Sequence, residues 1–154
     1  MNYPPLTVYL AGDVSRENPW RRKVIDECTD VPIVFYCPEE TVKYSAQGLT
    51  QRHRLDRIFH SIDKIKMRRS EIIFAYFRNK TKSKLSGTTW ECAWRRGRSE
   101  IWMVCDMTKG KAQQYEFVRR EVDALFSTLD EGIEALRRCA LSVDYAPKAR
   151  EVEK

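Results

Sequence analysis

The chain has 154 residues, with 42% hydrophobic and 32% charged side chains and a formal net charge of +6. That length fits one domain with a single core. The composition is that of an ordinary globular protein, and its longest apolar runs, Ile72–Phe77 and Ile101–Cys105, are far too short to span a bilayer.

The first predicted element is Leu6-Thr-Val-Tyr-Leu-Ala11, a buried strand that opens into a turn at Gly12-Asp13. Ser15 or Asn18 is placed to cap the next element, and Pro19 suits a first helical turn. Trp20, Val24, Ile25 and Cys28 then repeat at helical spacing, and Pro32-Ile-Val-Phe-Tyr-Cys37 reads as a second strand stopped by Pro38. Residues 38–53 are polar and read as a loop. Leu55, Ile58, Phe59, Ile62, Ile65 and Met67 form a helical stripe. Ile72–Phe77 is the third strand, followed by a basic loop over residues 78–86. Gly87-Thr88-Thr89 precedes a helix that is expected to start at a threonine cap and run through Trp90–Trp94. Ile101–Cys105 is the fourth strand, and residues 112–120 look helical. Val122–Phe126 fits strand or helix. Thr128 caps a last helix carrying Leu129, Ile133, Leu136 and Cys139 on one face.

Strands alternating with helices predict an α/β fold with a three-layer, Rossmann-like or flavodoxin-like parallel sheet of about five strands. Residues 1–142 form one domain in this reading, and 143–154 form a polar tail. Ligands of such sheets bind beyond the carboxyl ends of the strands. Gly12–Arg16, Phe77–Gly87 and Asp106–Gly110 fall there.

The five cysteines are odd in number and widely spaced, with no Cys-x-x-Cys, and only His53 and His60 could add imidazole ligands. Neither a disulfide framework nor a protein-built metal site is expected, and no cofactor is called for. With no signal peptide in Met1–Pro5, the expected compartment is a reducing cytoplasm. No membrane partner is expected. The positive charge clusters in Arg52–Arg69, Arg78–Lys84 and Arg95–Arg98, which could hold phosphates or only solvate helix faces. Nucleic acid is set aside as a partner for want of a stacking surface with interleaved aromatic and basic residues.

Three side chains could carry chemistry. Glu91 sits in Ser86-Gly-Thr-Thr-Trp-Glu91, at an expected helix start where the dipole would favour the anion. Asp63 lies on the stripe helix and could instead pair with Arg57, Lys64 or Lys66. Tyr9 lies in the first strand, where packing alone could account for it.

Tyr9-Leu-Ala-Gly12, Asp63-x7-Glu71-Ile-Ile-Phe-Ala and Gly87-Thr-Thr-Trp-Glu91 occur in that order and together resemble three motifs of the nucleoside 2-deoxyribosyltransferase family. The resemblance spans roughly residues 6–105. It implies that Glu91 attacks the anomeric carbon of a nucleoside, that Tyr9 orients Glu91, and that Asp63 contacts the base and helps protonate it. It also implies a small-molecule nucleoside or nucleotide substrate and a homo-oligomer. The loop Arg78–Lys84 lacks the acid that the family's transferases often carry there. Related hydrolases act on nucleoside 5′-monophosphates and bind the phosphate near the exit of the first strand. Gly12, Asp13, Ser15, Arg16, Arg21 and Arg22, with Gly87 and Thr88, are the expected substrate contacts. The competing reading is a non-catalytic nucleotide-binding module on the same fold.

Overall fold

The computed structural model describes residues 4–12, 19–38, 61–78, 86–142 and 144–145. The elements run β1 (Leu6–Gly12), α1 (Trp20–Glu27), β2 (Ile33–Tyr36), α2 (61–68), β3 (Ile72–Arg78), α3 (Ser86–Arg95) and β4 (Glu100–Asp106). Then come α4 (Lys109–Ala112), a short 3-10 turn, α5 (Glu116–Glu121), β5 (Ala124–Phe126) and α6 (Leu129–Leu141). The five strands lie in the order β2-β1-β3-β4-β5, every pair parallel. The four expected strands are therefore adjacent, and the ambiguous Val122–Phe126 resolves as a short edge strand. Near the amino ends of the strands, the Glu71 carboxylate accepts from the Thr7 N–H at 2.9 Å and the Thr7 hydroxyl at 3.0 Å. Glu71 thus locks β1 to β3 at the edge away from any site at the carboxyl ends.

Strand alternation sorts the core into two layers. Val8, Leu10, Phe74, Trp102 and Val104 face one side, where they meet Trp20 and Val24 of α1 and Ile133 and Leu136 of α6. Tyr9, Ala11, Ile73, Ala75, Phe77 and Met103 face the other, where they meet Met67 of α2, Cys92 of α3 and Val118 of α5. Each strand of the sheet centre is covered on both faces, which explains why β1, β3 and β4 read as unbroken apolar runs rather than alternating ones. Cys37 and Cys105, which lie in apolar runs of the sequence, sit at the margins of these layers. Burial pushes all five thiols up, Cys28 to about 11 and Cys92 to about 12.

Helix α6 begins as expected: the Thr128 hydroxyl accepts from the Glu131 N–H at 3.2 Å, and the Glu131 carboxylate accepts from the Ser127 N–H at 3.1 Å. Within this helix Gly132 is a contact residue. A Cβ there would lie 2.7 Å from Phe74 Cζ and 2.8 Å from Val104 Cγ2. Only a glycine lets α6 settle this close to the sheet. Gly132→Ala would gain roughly 1 kcal/mol of helix propensity but force two core side chains aside, at a cost of about 1–3 kcal/mol. We expect a net fall in melting temperature, read by thermal denaturation. An unchanged or raised melting temperature would show that the α6 contact is looser than drawn.

Two local expectations need correction. Helix α3 starts at Ser86, so Thr88 and Thr89 lie inside it and neither caps it. Glu91 consequently sits in the second turn, beyond the reach of the amino-terminal dipole. The readings for the loop over 39–53, for Leu55, Ile58 and Phe59, for the basic loop 79–84, for the helix-capping Ser15 or Asn18 and for the tail from 146 onward fall outside the described residues. So do His53 and His60.

Candidate active site at the carboxyl edge of the sheet

The strand order reverses direction between β1 and β3, since β2 lies on one side of β1 and all later strands on the other. A crevice at such a reversal is where doubly wound sheets bind ligands. Tyr9, Asp63 and Glu91 come together on the α2/α3 side of it. The Tyr9 hydroxyl donates to Glu91 Oε1 at 3.1 Å, across 82 residues of sequence. Tyr9 is wholly buried. Glu91 and Asp63, on α3 and α2, are each half-buried. Asp63 is close enough for its charge to act on both partners.

Burial is the main influence on Glu91 and raises its pKa to about 7. The Tyr9 hydrogen bond and the charge of Arg21 oppose that shift, while the Asp63 carboxylate adds to it. The expected dipole-stabilised anion is thus replaced by a carboxyl group poised near neutrality, because desolvation outweighs the remaining influences. Tyr9 is pushed well above the ordinary phenol range by burial and then by Glu91 and Asp63, so it keeps its proton and acts as a donor. A protein surface has little reason to bring two carboxylates and a phenol together under cover. Titratable groups shifted in this way mark functional sites more often than structural ones.

Arg21, expected to bind substrate phosphate, also has a role that the sequence did not show. Strand β2 stops opposite Tyr9, with Tyr36 as its partner. Beyond that point the carbonyls of β1 that face β2 have no strand to bond. The Arg21 guanidinium covers them, its Nε donating to Leu10 O at 3.1 Å and its Nη2 to Gly12 O at 3.0 Å. Its charge then reaches Tyr9, Glu91 and Cys37, opposing the larger upward shift that burial gives each of them. The sequence signal for this is a short second strand with an arginine in the first turn of the helix that precedes it. Arg22 points away, exposed and 3.7 Å from Asp26.

Gly12 closes β1 with φ at +154, and a Cβ there would come within 2.8 Å of Trp20 Cζ2 and 3.1 Å of Tyr76 O. Gly12 therefore lets the strand end tuck against α1 and β3, a packing role beside the crevice. Thr88 is buried in the first turn of α3. Gly87 lies in the same turn. Asp13, Ser15 and Arg16 fall outside the described residues. No His/Cys/Asp/Glu group with metal-ligand geometry occurs among the described residues.

With that geometry in hand, solved structures supply a comparison. A 2-deoxyribosyltransferase from the psychrotolerant bacterium Bacillus psychrosaccharolyticus superposes with a TM-score of 0.64 at 13% identity, covering 95% of this chain and 99% of its own. A conserved protein from Enterococcus faecalis V583 superposes with a TM-score of 0.55 at 10% identity, covering 88% of this chain and 99% of its own. What they share with this chain is the fold. No protein-family model matches the chain, and no curated protein matches it in sequence. The likeness spans the five-stranded sheet with its helices on both faces. No helix among the described residues is long and apolar enough to cross a membrane.

Proposed function

We propose that this chain cleaves or exchanges the N-glycosidic bond of a deoxynucleoside, nucleoside or nucleoside 5′-monophosphate, with Glu91 as nucleophile. The observation that carries the reading is the Tyr9–Glu91 hydrogen bond at the β1/β3 reversal with Asp63 beside it. The 2-deoxyribosyltransferase fold agrees with it.

In this mechanism the Glu91 carboxylate attacks C1′ of the sugar while the C1′–N bond breaks and the base leaves with its electron pair. Asp63, on the neighbouring helix, contacts the base and supplies the proton it takes up. Tyr9 grips Oε1, so Oε2 is the oxygen turned to the sugar. Water or a second base then attacks C1′ and releases Glu91, and two displacements retain the anomeric configuration. The Tyr9 proton also prevents Glu91 from being protonated too readily. Without that hydrogen bond, burial alone would keep more of the carboxyl neutral at pH 7. The site thus balances a nucleophile against its own desolvation.

The deciding experiment is incubation with a panel of deoxynucleosides and deoxynucleotides, with and without an acceptor base, followed by chromatography. Free base without acceptor marks a hydrolase, and exchanged base marks a transferase. No release from any substrate would leave a nucleotide-binding module.

The phosphate question has a separate test. The sequence around the end of β1 and the loop over 78–84 is rich in cations and, in the loop, free of acids. We expect nucleoside monophosphates to bind more tightly than nucleosides in calorimetry, with an advantage that shrinks as salt rises. Since Arg21 is engaged with the β1 backbone, the phosphate contacts are assigned to Ser15 and Arg16 and the loop lysines. Equal affinity at low salt would remove the phosphate from the reading.

A further inference from the structure

Helices α2 and α3 build an exposed surface that the reaction at Glu91 does not use. Trp90 and Trp94, one turn apart on α3, stack with ring centroids 5.6 Å apart and planes within 6° of parallel. The Lys64 ammonium of α2 lies 5.7 Å from both ring centres, and the Arg68 guanidinium, one turn further along α2, lies 5.5 Å from that of Trp94. Arg95 approaches the same ring at 5.6 Å. It is held there by two bonds to the Ser99 hydroxyl, at 3.0 and 2.9 Å. Trp90 remains 42% exposed. Arg68 and Arg98 are exposed as well.

The charge on this surface is of one sign. Among the described residues, no carboxylate pairs with Lys64, Arg68, Arg95 or Arg98. Burial lowers the pKa of Arg95, and the nearby charges of Arg98 and Arg68 lower it further. A cluster of like charges that no neighbouring acid balances destabilises the fold unless a counter-charge arrives. Two stacked indoles lie within it.

We propose that this face binds single-stranded nucleic acid, with a base stacking on the Trp90–Trp94 pair and the phosphates running along Lys64, Arg68 and Arg98. Aromatic platforms flanked by cations are how proteins hold single strands without reading their sequence. An anionic membrane would also suit the charge, but its partner surface carries apolar side chains that project as a wedge. Here the indoles lie parallel to each other beneath cations. The surface escaped the sequence reading because its basic and aromatic halves come from helices some 26 residues apart, counted from Lys64 to Trp90, and only the tertiary fold interleaves them.

The test uses the whole chain and a labelled 15-mer of thymidylate, with intrinsic fluorescence as a second readout. Trp20 and Trp102 are buried, so quenching reports on Trp90 and Trp94. We expect salt-sensitive binding with quenching. Trp90→Ala should weaken it about 10-fold or more through lost stacking. Arg68→Ala should weaken it and lower the slope of log affinity against log salt by about 0.7, the loss of one phosphate contact. Circular dichroism of both variants shows that they fold, and both positions are exposed enough to accept alanine. The proposal is overturned if the oligonucleotide does not bind at low salt, or if both variants bind it like wild type. It is also overturned if dTMP in excess displaces the strand, which would place it in the crevice at Glu91, or if vesicles of anionic lipid bind through Trp90 and Arg68 while the oligonucleotide does not.

Discussion

Glu91→Gln should abolish the proposed glycosidic cleavage, with kcat falling by more than about 10³-fold, and at the same time should make the protein more stable than wild type at alkaline pH. The two effects have one cause. Glutamine keeps the shape and can still accept from the Tyr9 hydroxyl, but it cannot form a bond to C1′. It also never ionises. The sign of the stability effect follows from the direction of the shift. The carboxyl of Glu91 has its folded pKa raised to about 7 from an ordinary value of 4.5. Ionising it therefore costs more in the folded chain than in the unfolded one. The cost is absent below pH 4.5, grows between there and pH 7, and is fully present above. At about 1.4 kcal/mol per unit the penalty is at most about 3.5 kcal/mol, and less for a carboxylate that still meets solvent. Thermal melts of wild type and Glu91→Gln should coincide near pH 4 and diverge by pH 8, with the variant higher. A glutamate that merely completed a helix would show neither result. Retained activity in Glu91→Gln would rule out the nucleophile role. Coincident melts at every pH would rule out the desolvated carboxyl.

Tyr9→Phe should move the pH dependence of the proposed reaction and slow it. The phenol is the first influence opposing the desolvation of Glu91, so its removal raises the Glu91 pKa further. The ascending limb of kcat/KM against pH, which reports the free enzyme, should lie near pH 7 in wild type and shift upward in the variant. A hydrogen bond to a charged group is worth about 1.5–3 kcal/mol, so the loss at a fixed neutral pH should be on the order of 10–100-fold. Part of it should be recovered as pH rises, because a larger share of Glu91 then ionises. Phe fills the same buried site in the layer with Ala11, Ile73 and Met67, so the fold should be little affected. A uniform drop at all pH values, with no movement of the limb, would mean that Tyr9 only packs.

The strands were legible because both faces of β1, β3 and β4 are covered, and a strand buried on both faces leaves a continuous apolar run in the sequence. Helix α6 was legible because its cap is a local matter between Thr128 and Glu131. The pairing of Tyr9 with Glu91 could be expected only from the three motifs taken together, since each residue alone has a bland explanation. What stayed hidden depended on distant parts of the chain. The start of α3 could not be placed because Thr88 looks like a cap but is buried inside the helix. The pKa of Glu91 is set by what covers it, and the dipole argument, drawn from local position, pointed the wrong way. The backbone role of Arg21 stayed hidden because the need it meets, the bare carbonyls of Leu10 and Gly12, arises only once β2 proves to be short.

The five covered thiols have a practical consequence. A thiol reagent attacks the thiolate, and each of these groups has been moved further from ionising than a free cysteine. At neutral pH the native thiols should therefore react with alkylating dyes more slowly than a free cysteine, the buried Cys28 and Cys92 slowest. Phe117, 75% exposed on α5, could be exchanged for cysteine and would then outpace every native thiol. A fluorophore or spin label directed to that position should therefore attach there ahead of the native cysteines.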